Sequence, residues 1–410
     1  MLDIKYIREN KDFVTKVTKE KGFDETIIEN LLAVDEERRK LMQISEEIRA
    51  KKNKLSKDYA IEGKKLKSEL KEVELKLSKV ELKFNELMYK IPNISAQDVK
   101  VGTEENNEVI KKVGDIPEFA FNVRDHLEIG KLTDTIDFER GSKVAQSGFF
   151  YFKNDLTLLE LALAQYAFEK LQKLGFTPII TPNVAKERNI VGCGFQARSE
   201  KERQIYHIEG EDLDLIATAE ITLVGMHTDE VIDVKLLPLK YVGYSSCYRK
   251  EIGSYGKDVK GILRVHEFKK IEMVVFCDPE QSDKIHEELL AIEEEIYQEL
   301  GIPYQVVKMA TGDLGNAASK KYDLEAWMPS QNRYREITST SNTTDFQARR
   351  LNIKMRKNNE NVYLHTLNGT VSTTSRTVIA ILENFQNEDG SVNIPLALQK
   401  WMGKDKIVVT

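Results

Sequence analysis

Cysteine is scarce in this chain, and so are histidine, proline and tryptophan: three, six, nine and two residues among 410. Each scarcity excludes something. Cys193, Cys247 and Cys277 are odd in number and far apart. They fit neither a disulfide framework nor a paired-thiol metal site, and they suit a reducing compartment. No apolar run approaches the roughly 18 residues of a membrane span. The opening MLDIKYIRENKDF has no signal-peptide pattern. The expectation is a cytoplasmic protein with no membrane partner. Positive charge is not in excess either, with 61 Lys and Arg against 67 Asp and Glu, a net of −6. Any surface for a polyanion must therefore be local. What is present, 41% hydrophobic and 31% charged residues, suffices for two or three soluble domains.

The first hundred residues are helical in pattern. Leu66, Leu70, Val73, Leu77, Val80, Phe84 and Leu87 alternate spacings of four and three, the a/d seam of a coiled coil. Residues 27–56 supply Val34, Leu41, Ile44, Ile48 and Leu55 at compatible spacing. Gly63 is a natural helix stop between the two segments, and Pro92 ends the second. The spacing predicts an antiparallel two-helix coiled-coil arm over about residues 27–90 that projects from the body. Its tip is basic: Arg49 to Lys71 carries nine basic and three acidic residues. Arg49, Lys51, Lys52, Lys54 and Lys57 are candidates for contact with a phosphate backbone. The alternative is an ordinary solvated coiled-coil face. Residues 93–135 read as a polar linker. The domain boundaries expected are 1–100 for the N-terminal domain and 101–410 for the globular body.

The body centres on Tyr241–Cys277, two β-rich runs around a glycine-bearing loop, which predicts a strand, a long loop and a returning strand. Alternation puts Cys247, Arg249 and Glu251 on one face of the first strand. On the return it groups Arg264, His266, Phe268 and Glu272, with Leu263, Val265, Ile271 and Met273 facing a core. The polar face is either solvated or the floor of a site.

Other segments carry candidate chemistry. Gly175–Val184 reads as a short strand broken by Pro182, hence an edge. Leu215–Leu223 reads as a strand with Thr218 and Glu220 on one face beside small Ala217 and Ala219. That set could hold a small ligand bearing an ammonium. Glu336 and Ser339, in a second hairpin over 321–342, form an acid–hydroxyl pair suited to Mg²⁺. Arg376 lies near the start of a buried helix, where a cation is out of place unless an anion is shared.

Three stretches together resemble the three signature motifs of class II aminoacyl-tRNA synthetases. Gly175–Val184 is similar to motif 1. Cys247–Glu251 with Arg264–Phe268 is similar to motif 2, and Asn368–Gln386, around Arg376, to motif 3. With Thr218-Ala219-Glu220, the phrase Asp345–Arg350 and the two-helix arm, the chain resembles the seryl-tRNA synthetase family along essentially its whole length. The resemblance implies an α+β fold: the N-terminal arm, then a catalytic domain built on an antiparallel sheet, forming a homodimer through motif 1.

It also implies a reaction. L-serine and ATP give seryl-adenylate, and the seryl group passes to the 3′ end of tRNA(Ser), with tRNA(Sec) left open as a second acceptor. Arg249 and Arg376 would be catalytic, on the α-phosphate and γ-phosphate. ATP would meet Arg249, Lys250, Glu251, Val265, Phe268, Glu336, Ile337, Thr338, Ser339 and Arg376. Serine would meet Thr218, Ala219, Glu220, Arg249, Glu272 and Thr370. Mg²⁺ would meet Glu336 and Ser339. The basic residues Arg49 to Lys57 would grip tRNA. Thr370, Thr340 and Ala197 depart from the commonest bacterial pattern. Two rival readings are a paralogue serving a non-tRNA acceptor and a non-catalytic tRNA-binding homologue. The intact charged residues and the basic arm count against both.

Overall fold

The computed structural model describes residues 1–54, 60–195, 204–251 and 261–410. Two compact units emerge, Met1–Ile94 and Ser95–Thr410.

In the first unit, α1 (Ile4–Glu9) and α2 (Lys11–Glu20) precede two long helices, α3 (Thr26–Lys54) and α4 (Ala60–Lys90). At ~1.5 Å per residue each long helix runs roughly 45 Å. The seam read in α4 holds: Leu70 and Phe84 are buried, and Leu66, Val73, Leu77, Val80 and Leu87 are half-buried. The seam read in α3 is corrected. Ile44 is 43% exposed, and Ser45 is buried in its place. The register runs Val34, Arg38, Leu41, Ser45, Ile48, so two polar residues occupy seam positions. Arg38 fits because its guanidinium lies 4.2 Å from the centroid of the Phe84 ring. Beside it the buried carboxylate of Asp35 accepts from Arg8 at 2.6 Å and from Arg38 at 3.1 Å. Burial opposes its ionisation, but those arginines outweigh it and hold the carboxyl below its ordinary range. Leu55 and Lys57 lie outside the described residues.

The second unit is built on eight strands: β1 (Glu108–Val113), β2 (Thr177–Ile180), β3 (Leu239–Tyr248), β4 (Glu267–Cys277), β5 (Tyr304–Lys308), β6 (Lys320–Met328), β7 (Arg333–Asn342) and β8 (His365–Thr373). Their order is β1-β5-β6-β7-β8-β4-β3-β2. Every pairing is antiparallel except β2 with β3. The linker expected over 93–135 is corrected at β1, which is an edge strand paired with β5. Five of its six residues are exposed, so it carries no apolar alternation to read. β2, from the stretch expected to be an edge, is the opposite edge, and its Ile180 is 84% exposed.

Helices α5 (His126–Leu132), α6 (Asn154–Lys173), α7 (Ala219–Gly225), α8 (Ser282–Glu299) and α9 (Thr374–Asn384) complete the frame. Ile271, Met273 and Val275 of β4 enter one large core with residues of α6, α8 and α9. On the other face of β4, Val274 and Phe276 enter a second core with Ala219, Ile221 and Leu223 of α7. Phe268, Lys270 and Glu272 continue that second face toward the strand's start. There the apolar cover gives way to an open, polar cavity.

Candidate functional site

Two adjoining cavities lie over the centre of the sheet. The first is lined by Arg249, Glu251, Leu263, Val265, Phe268, Glu336, Ile337, Ser339 and Arg376. The second is lined by Thr218, Glu220, Arg249, Lys270, Glu272, Ser339 and Asn368 among others. Arg249, Lys270 and Ser339 border both, so a ligand spanning the two must pass these groups.

Arg249 follows the last residue of β3. Its backbone N–H donates to the carbonyl of His266 at 3.0 Å, and His266 Nδ1 donates to the carbonyl of Arg249 at 2.9 Å. The guanidinium lies 5.3 Å from the centroid of the Phe268 ring. The expected alternation stops at Tyr248: Cys247 is fully buried, and Glu251 takes a left-handed φ of 48°. Glu251 still faces the first cavity, where it accepts from Arg264 at 3.2 Å. Lys250 borders neither cavity, and its amine lies 5.6 Å from the centroid of the Tyr206 ring.

Glu336 and Ser339 are three apart, which alternation alone would set on opposite faces. A bulge between the pairs Leu324↔Thr338 and Glu325↔Glu336 corrects the parity, and both line the first cavity. The hydroxyl of Thr338 turns the other way and donates to buried Glu293 at 2.8 Å. Arg376 Nη1 donates to the Glu336 carboxylate at 3.0 Å and to its carbonyl at 2.9 Å. Desolvation works against the Glu336 anion, but Arg376 and then Lys321 outweigh it and hold the carboxyl well below its ordinary range.

The strand expected over Leu215–Leu223 is corrected. β structure ends at Leu215 and α7 begins at Ala219, with Thr218 as its N-cap. Thr218 Oγ1 accepts from the N–H of Glu220 at 3.2 Å. Ala219 is fully buried and borders neither cavity; it packs beneath Gly243. Glu220 does reach the second cavity. Its Oε1 accepts from Gln347 at 2.6 Å and Asn368 at 2.9 Å. Burial, then the neighbouring Glu272, push its carboxyl up to about 7. Glu272 accepts from Lys270 at 2.6 Å and from Thr370 at 3.2 Å. Burial raises its carboxyl too, against the pull of Lys270.

This is a polar slot with two carboxylates and one ammonium, joined through an arginine to a cavity with an aromatic wall. It can hold a small zwitterion against a polyphosphate.

The sequence-derived set is thus largely brought together. Lys270, Gln347 and Asn368 were missed. For Lys270 the signal was present, since alternation places it between Phe268 and Glu272 on the same face. Arg49, Lys51, Lys52 and Lys54 belong to the other unit. The last three are exposed, while Arg49 pairs with Glu74 across the helices at 2.8 Å.

Two family models match: the seryl-tRNA synthetase N-terminal domain over residues 1–95 and the tRNA synthetase class II core domain (G, H, P, S and T) over 204–385. The serine–tRNA ligase of Treponema denticola is 44% identical over 99% of this chain and all of its own length. The chain belongs to the seryl-tRNA synthetase family. Among solved structures, the seryl-tRNA synthetase of Pyrococcus horikoshii, complexed with ATP, is 38% identical, covers both chains fully and superposes with a TM-score of 0.93. The cytoplasmic serine–tRNA ligase of Naegleria fowleri, complexed with AMP, is 34% identical over all of this chain and 99% of its own, with a TM-score of 0.88. Among seryl-tRNA synthetases, then, the two-unit plan of this chain is matched end to end.

Proposed function

We infer that this protein is a serine–tRNA ligase, which activates L-serine with ATP and transfers the seryl group to tRNA. Relatives with that name align over nearly the whole chain. The observation that carries the reading is the position of Arg249 at the junction of the two cavities. A serine carboxylate in the second cavity and an α-phosphate in the first would both meet its guanidinium, which offers a planar, multiply donating face.

The residues divide the work accordingly. Phe268 supplies the wall on which adenine stacks. Val265 offers its backbone and Glu251 its carboxylate to the base. Arg376 takes the γ-phosphate, with Ile337, Thr338 and Ser339 forming the floor beside it. Glu220 takes the serine ammonium, and Glu272 with Thr370 takes the hydroxyl. Alanine would leave those buried polar groups unpaired and is rejected. The attacking carboxylate is already ionised, so positioning and charge neutralisation supply the rate.

Mg²⁺ fits the donor set. Glu336 and Ser339 present hard oxygens on one face, and Mg²⁺ takes few protein ligands while keeping waters and phosphates. When bound, it would neutralise phosphate charge.

A homodimer through the β2 edge fits the exposure of Ile180. Sedimentation as a monomer at working concentration would remove that part. The basic end of the α3–α4 arm serves the tRNA backbone, and the chemistry suits a reducing cytoplasm. The test is charging of purified tRNA(Ser) with labelled serine, with purified tRNA(Sec) as a second acceptor. Adenylate formation with no acylation of tRNA(Ser) would transfer the reading to a synthetase with another acceptor.

A further inference from the structure

His126 opens α5 and lies far from Arg249 in sequence. It is 3% exposed and sits between two fixed partners. On one side Glu383 of α9, itself fully buried, accepts from the His126 backbone N–H at 3.2 Å and lies 3.2 Å from Nδ1. The other Glu383 oxygen accepts from the N–H of Ser330 at 3.0 Å. On the other side the backbone N–H of Ile262 donates to His126 Nε2 at 3.2 Å.

These contacts fix the tautomer. An amide N–H only donates, so Nε2 must offer a lone pair. The proton is then on Nδ1, where a carboxylate accepts it. A doubly protonated ring would set two N–H groups against each other at Ile262.

What His126 grips is the turn Gly261–Leu263, which leads directly into Leu263, Arg264 and Val265 on the wall of the first cavity. The approach is close. Gly261 has φ +72°, and a Cβ there would lie 1.9 Å from His126 Nε2, so only glycine permits the contact.

We propose that His126 is a positioning residue of the nucleotide site. Through its lone pair on Nε2 it holds the Ile262 amide, and so sets the backbone that carries Leu263 and Val265 to the adenine. Glu383 orients the ring from behind. The proposal rests on the reading of the first cavity as the ATP site.

The test separates the two ring positions. His126→Asn keeps a donor for Glu383 but is too short to reach Ile262. It leaves a buried N–H unpaired and should raise the KM for ATP on the order of tenfold. The KM for serine should stay within about twofold of the starting value. His126→Gln carries an acceptor to the Nε2 position and should restore the KM for ATP. Equal rises for both substrates, no rise at all, or no rescue by Gln would overturn the proposal. A second readout needs no variant. In ¹⁵N-histidine-labelled protein near neutral pH, His126 should appear as the neutral Nδ1–H tautomer; the Nε2–H tautomer or the imidazolium would overturn the assignment. If the unaltered protein shows no ATP-dependent exchange, the ATP reading fails, while the tautomer result stands by itself.

Discussion

Arg376 of α9 is bound twice by Glu336 of β7, through its carboxylate at 3.0 Å and its carbonyl at 2.9 Å. An arginine near a helix start opposes the local dipole, and here Glu336 compensates it. A polyphosphate arriving in the first cavity would compete for the same guanidinium and free an oxygen of Glu336 for a cation. Arg376→Ala should therefore cut serine-dependent ATP–pyrophosphate exchange on the order of a hundredfold or more. Glu336→Gln should raise the Mg²⁺ concentration needed for half-maximal exchange. An unchanged Mg²⁺ dependence in the second variant would remove Glu336 from the metal role.

Glu220 predicts a pH dependence. Burial, then Glu272, lift its carboxyl from 4.5 to about 7, and the serine ammonium binds its ionised form. The apparent kcat/KM for serine should rise between about pH 6 and about pH 8 as Glu220 loses its proton. Glu220→Gln should lower the value and flatten this limb. Stability without ligand follows the opposite direction. Folding favours the neutral form, so this contribution is intact below about 4.5 and is lost as pH climbs through about 7. A thermal midpoint that rises over that interval in the unaltered protein, relative to Glu220→Gln, would contradict the assignment.

The arm predicts a separation of the two steps. Lys51, Lys52 and Lys54 are exposed at the end of α3. Neutralising all three should weaken tRNA charging, most visibly at raised salt, because each phosphate contact adds to the salt slope. ATP–pyrophosphate exchange should be unaffected. Full charging by this variant would leave the basic end without a role.

Much of the site was legible because its residues lie in three charged, ordered stretches. Arg249, Phe268, Glu272, Glu336 and Arg376 all reach the cavities. The strand assigned around Thr218 was wrong because β-branched residues dominate there and the N-cap lacks an acidic residue three positions on, the usual sign of a helix start. The pairing of Glu336 with Ser339 depends on a bulge that alternation cannot supply. Ser45 replaced Ile44 in the seam because a polar residue can hold the register while an apolar neighbour faces water. His126 was invisible for another reason. Its meaning comes only from Ile262 and Glu383, more than a hundred residues away.

The most direct measurement is ATP–pyrophosphate exchange over a panel of amino acids, with the unaltered protein and Arg249→Ala side by side. Exchange that depends on serine, is weak with alanine and threonine, and vanishes in Arg249→Ala is the predicted result. Exchange driven by another amino acid, or activity that survives the loss of Arg249, would contradict the assignment of the two joined cavities to serine and ATP.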